Sequence, residues 1–151
     1  MERYTDDGST PDLDLVEYVV ITVPELSSTV GVAAALGDLV DSARIRILDL
    51  VGVVVGPDGR VTVVEPELVP GLARLREVQG EVGGLLSEDD LALASSALQP
   101  GTSALIVVVE DCWARLLSGA ARDVGGRIVG GERIPRYRLE QAARAARGGA
   151  A

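Results

Sequence analysis

The chain has 151 residues, 47% of them hydrophobic, enough for a domain with its own core and too apolar for a disordered polymer. It contains no His, no Lys and one Cys, which excludes a Ser-His-Asp triad, a Cys-His dyad, His-ligated or Cys-rich metal sites, a Schiff-base lysine and a P-loop lysine. The net charge of −9 is split between −14 over residues 1–112 and +5 over residues 113–151. The acidic body disfavours nucleic acid, and the arginine-rich end is suited to docking on acidic surface of its own or a neighbouring subunit.

Residues 1–14, with Asp6, Asp7, Gly8, Ser9, Thr10, Pro11 and Asp12, read as a disordered acidic tail ahead of a single domain at 15–147. This polar start is the opposite of a secretory signal, no run approaches the roughly 20 apolar residues of a membrane span, and Cys112 has no partner for a disulfide. A cytoplasmic protein without membrane insertion is expected.

Residues 16–23 are β-branched and nearly continuously apolar, which predicts a central strand ended by Pro24. Ser27, Ser28 or Thr29 can cap the helix that follows, where Ala33, Leu36, Val40 and Ala43 share a face. Residues 45–55 form a second strand, and the turn Gly56-Pro57-Asp58-Gly59 returns the chain along 60–65 as a hairpin. Residues 68–98 read as two helices. The first follows Leu68, Leu72, Leu75, Gln79 and Val82 and is weakened by Gly80, Gly83 and Gly84. The second restarts at Ser87, with Glu88, Asp89 and Asp90 at its positive end and Leu91, Ala94, Ala97 and Leu98 along one stripe.

After Pro100-Gly101, residues 102–109 predict a strand buried on both faces. Trp113, Leu116, Leu117, Ala120, Ala121 and Val124 recur at i, i+3, i+4, i+7, i+8 and i+11, the clearest helical signal in the chain, stopped by Gly125-Gly126. A short last strand is expected at 127–134 and a final helix at 136–147, supported by Glu140 four residues from both Arg136 and Arg144. The resulting fold class is α+β: a ferredoxin-like sandwich of two β-α-β units, with an additional hairpin strand, a helical insertion and a C-terminal helix. An open parallel α/β sheet is the alternative, disfavoured by the hairpin. Helices of such a sandwich cover one sheet face, so the second apolar face calls for the insertion, the final helix or another subunit.

Few side chains here carry chemistry. The Glu88-Asp89-Asp90 run lacks the spacing of a Ca²⁺ loop and reads as helix capping. Asp49 lies in an apolar strand on the side of Ile47 and Val51, where a buried carboxylate needs a partner or a raised pKa; it is a candidate ligand- or partner-binding residue, with an arginine ion pair or a solvated strand position as the plainer reading. Gly80, Gly83 and Gly84 lack the strand-turn-helix setting of a phosphate loop. Arg133, Arg136 and Arg138, around Pro135 and Tyr137, are candidates for an anion or an acidic partner, with a solvated or subunit-docking face as the plainer reading. Cys112 reads as a small buried apolar residue, and Trp113 and Tyr137 as core or interface.

Leu39-Val40-Asp41, Ile45-Arg46-Ile47-Leu48-Asp49 and the Pro-Asp-Gly hairpin at 57–59, together with Pro100-Gly101-Thr102-Ser103-Ala104-Leu105 and the helix-Gly-Gly-strand ending at Ile134, resemble an uncharacterised bacterial family defined only as a domain of unknown function. The resemblance covers roughly residues 15–145 and points to an actinobacterial-type branch. Related branches carry a long Gly-rich, membrane-like insertion between the halves. Here that place holds the short acidic stretch Gly80 to Asp90, which removes the case for an anchor. Some members are labelled stress-associated, and the family brings no catalytic residues to carry over.

The chain is therefore expected to be a non-enzymatic, cofactor-free, self-associating structural or regulatory module, a homo-oligomer with a possible protein partner. The alternative is a small-ligand or anion-binding sensor. A carboxylate enzyme built on Asp49 is a third reading and requires a pocket beside that residue.

Overall fold

The computed structural model describes residues 10–73, 75 and 85–149. Its frame is one four-stranded antiparallel sheet with helices, an α+β arrangement, built from β1 (Val16–Val23), β2 (Arg46–Val55), β3 (Val61–Val64) and β4 (Ser103–Glu110) in the order β1-β4-β2-β3. The described helices are α1 (Val30–Asp41), α2 (Glu88–Ser95), α3 (Arg115–Asp123) and α4 (Arg136–Gly148). Among the described residues no helix is long and apolar enough to cross a membrane.

β4, the centre of the sheet, is buried at all eight positions. Both of its neighbours run antiparallel to it, so β1 and β2 are parallel to each other and α1 joins them across β4. β1 was expected in the centre and instead forms an edge. Its Glu17, Tyr18 and Thr22 are exposed, and an edge beside solvent accommodates those groups where a central strand would not. The hairpin forms as expected. Gly59, at φ +82°, takes the left-handed position of the turn, and the Gly56 N–H donates to the Arg60 carbonyl.

Alternation along β4 sends its side chains into two cores. Leu105, Val107 and Val109 pack with Ala33 and Leu36 of α1, with Ile47 and Leu50, and with Val69, Leu72 and Leu75 of the segment after the hairpin. Ala104 and Ile106 pack with Val51, Val53 and Ala94, flanked by Leu86, Leu91 and Leu98. Over β2 and β4 the second sheet face is thus covered by the 85–98 segment of the same chain. A capping box starts α2: the Ser87 hydroxyl accepts the Asp90 N–H at 3.1 Å, and the Asp90 carboxylate accepts the Ser87 N–H at 3.0 Å. The acidic run at 88–90 therefore serves helix initiation. Gln79, Val82 and the glycines at 80, 83 and 84 lie outside the described residues.

The ferredoxin-like pair of β-α-β units is not completed. Residues 127–134 form no strand, so only the first unit closes. Arg127-Ile-Val-Gly-Gly-Glu-Arg-Ile has two glycines in the middle, and glycine in a strand interior costs conformational entropy with no side chain to pack. Gly125, at φ +79°, ends α3, with the Gly126 N–H reaching the Ala121 carbonyl and the Gly125 N–H that of Arg122, the paired bonds of a Schellman stop.

Candidate interaction surface

The unusual region begins where β4 ends. The Glu110 side chain is buried, with only 1% exposed, and three donors meet it: Arg46 from β2, Arg115 from α3 and the Asp12 N–H. Burial pushes the Glu110 carboxyl up, but the bonds from Arg115, the Asp12 N–H and Arg46 outweigh it and hold the group below the usual glutamate value. One turn further along α3, the buried Ser118 hydroxyl donates to Asp12 at 2.8 Å, and Arg122 binds both Asp12 and Asp14. Arg127 adds a second ion pair to Asp14. The Arg122 hydrogen bond is the main cause that keeps the Asp12 carboxyl low, and the Arg127 bond does the same for Asp14. Asp12 and Asp14, placed in the acidic tail by the sequence, are thus clamped by the arginine-rich end of the same chain.

This clamp turns α3 inside out. Arg115, Ser118 and Arg122 lie at i, i+3 and i+7 and face the body, so the apolar stripe at helical spacing faces outward. Leu116 is 89% exposed, Val124 85% and Trp113 68%. The strongest helical periodicity in the sequence is therefore correct as a helix, but its apolar face is not core. Trp113 lies on the surface, in the turn before α3, and Tyr137 is exposed on α4. Every residue of α4 that carries the stripe Leu139, Ala142, Ala143 and Ala146 is exposed as well.

A cleft of about 1120 Å³ separates the free edge of β1 from the 127–133 segment. Trp113, Leu117, Ile128 and Val129 line it with Glu17 and Asp111. Burial first, and then the charge and hydrogen bond of Asp111, push the Glu17 carboxyl up. Burial raises Asp111 against hydrogen bonds from Trp113 and Glu17. Among the described residues no three acidic or sulfur side chains gather as metal ligands.

The remaining candidates disperse. Arg133 lines the cleft, Arg136 pairs with Glu140 at 3.0 Å, and Arg138 meets Glu132 at 3.5 Å, so the three arginines do not build one anion site. Asp49 sits at a β-bulge: pairing passes from Ile47↔Val109 to Asp49↔Val108, leaving Leu48 as the additional residue. The bulge changes the phase of the strand, so Asp49 faces the α2 side with Val51 while Ile47 faces the α1 side. Among the described residues its partners are backbone amides rather than the expected arginine. The carboxylate accepts the N–H groups of Leu85 at 3.0 Å, Leu86 at 3.3 Å and Leu50 at 2.8 Å, and so ties the 85–98 segment to the sheet. Cys112 is half-buried, its thiol donating to the Glu110 carbonyl.

The Glu110 cluster escaped sequence reasoning. The signal that could have found it is a glutamate closing an otherwise apolar strand, followed by polar residues at the same helical spacing as the apolar stripe. Comparison with curated proteins and with solved structures returns no match. A family model described as a family of unknown function, DUF6325, matches residues 13–142, from the 3₁₀ turn before β1 to the middle of α4. The chain belongs to that family of unknown function.

Proposed function

We propose that this protein is a non-enzymatic, self-associating structural or regulatory interaction module. The observation that carries the reading is the orientation of α3: ion pairs and a buried serine occupy its inner face, and Leu116, Leu117 and Val124 stand in solvent beside Trp113. A helix that turns a contiguous apolar stripe outward has a stripe to bury on association. A second copy offers the same stripe, and two-fold pairing buries both at once.

Native mass spectrometry of the untagged full chain tests the reading. A defined oligomer without added mass is expected. The variant Leu116→Glu should weaken association at least tenfold, because burying a leucine stabilises by about 1.5–3 kcal/mol and about 1.4 kcal/mol is a factor of ten. Its monomer should unfold at the wild-type midpoint, since Leu116 is 89% exposed. A monomer at every concentration overturns the reading, and a reproducible added mass per subunit favours the ligand-sensor alternative.

A further inference from the structure

We infer that helix α4 of one copy docks in a second copy, in the groove between the β2–β3 hairpin and α2; this rests on the self-association proposed above and adds a contact to that of the α3 stripe. The groove has a volume of about 410 Å³ and an apolar floor of Val55, Val61, Val63, Leu91 and Leu98. It exists because α2 is only eight residues long, about 12 Å of helix. That length packs on β2 and β4 and leaves the Val61 and Val63 side chains of the edge strand β3 each 42% exposed. Ser95 belongs to the groove wall, and its hydroxyl is buried with no hydrogen-bond partner among the described residues.

The occupant follows from shape and charge. α4 has a narrow stripe of Leu139 with Ala142, Ala143 and Ala146, small enough to lie close against a strand surface, and no residue of α4 is buried in its own chain. Arg136 and Arg147 flank that stripe and Arg144 lies on the opposite face, all within the +5 end of the chain. The groove belongs to the −14 body, with Glu88 on its wall and Asp89 beside it. The helix of the same chain is badly placed to enter. Arg133, three residues ahead of α4, lines the cleft at the β1 edge. The groove lies at the opposite edge, three strand spacings or roughly 14 Å across the sheet. α2 stands on the strands between. A second copy meets no such obstacle.

The test mixes two full-length proteins, both with Cys112→Ser, one carrying Val63→Cys and the other Leu139→Cys. Mild oxidation should give a disulfide-linked heterodimer well above the level reached when Leu68→Cys, an exposed position away from the groove, replaces Val63→Cys. Val63→Arg, checked for folding by circular dichroism, should weaken association at least tenfold by setting a charge against the arginines of α4. Association that persists without the heterodimer crosslink and is indifferent to Val63→Arg overturns the groove assignment and leaves self-association standing. Absence of any oligomer by native mass spectrometry overturns both. A chain carrying both cysteines that closes on itself at high dilution, with no heterodimer in the mixture, overturns the second copy as the occupant.

Discussion

At the scale of single residues, Glu110 decides the most. Its carboxylate is the acceptor that unites β2, α3 and the chain before β1, and its removal leaves Arg46 and Arg115 without that partner in a largely desolvated place. Glu110→Gln is expected to lower stability by about 2–3 kcal/mol in urea unfolding. Because the folded carboxyl is held below its ordinary value, its contribution is present above the ordinary glutamate range and is lost as pH falls through the folded value; the variant should lack that acid-side loss. Glu17 and Asp111 behave in the opposite sense. Both carboxyls are raised, so the native state favours their protonated forms and loses stability as pH rises through the folded values. Glu17→Gln should therefore stabilise the fold at pH 7 by about 0.5 kcal/mol, a small amount because the group is largely exposed, and the gain should vanish in acid. Thermal melts across pH check both signs.

At the scale of elements, α2 depends on a residue far from it in sequence. Asp49 reaches across from β2 to hold the amides of Leu85 and Leu86, immediately ahead of the Ser87 cap. Asp49→Ala should cost about 1–3 kcal/mol by leaving those amides unpaired, with hydrogen exchange accelerating first in residues 85–98. Asp49→Asn, which keeps an acceptor, should cost less. α3 illustrates the limit of periodicity. The spacing from Trp113 to Val124 fixes where a helix forms, and the Gly125 stop was equally readable. Which face turns inward depends on Glu110, five residues before the helix, and on Asp12 and Asp14, which come from a distant part of the chain. The missing strand at 127–134 teaches a related lesson: its end residues are apolar enough, but the glycines between them leave nothing to hold a ladder.

At the scale of the whole molecule, the charge division has a partly visible purpose. Arg122 and Arg127 settle on Asp12 and Asp14 of the same chain, while no residue of α4, which carries four further arginines, is buried. Removing residues 135–151 is therefore expected to leave the unfolding free energy of the dilute monomer within about 0.5 kcal/mol of the full chain, as for other changes at exposed positions. The same truncation should weaken association measured by sedimentation. A large fall in monomer stability would mean that α4 contributes to its own body. The position of β1 belongs to this scale too. Its run of valines suggested a centre, but Glu17 and Thr22 fit an edge, and β4 has no such polar interruption between Ser103 and Glu110.

The amino-acid sequence by itself determined the four described helices α1 to α4, the hairpin, the four strands that carry β-branched runs, the capping box at Ser87 and the exclusion of histidine and lysine chemistry. These are local matters, set by spacing, turn geometry and composition. Only the tertiary structure decided the strand order, the bulge that turns Asp49 toward α2, the covering of the second sheet face from within the chain, and the outward turn of the α3 stripe. Each of those includes partners far apart in the chain, such as Asp49 with Leu85 and Ser118 with Asp12. Periodicity reports that a helix has two faces; the buried charges that the rest of the fold brings to it decide which one meets water.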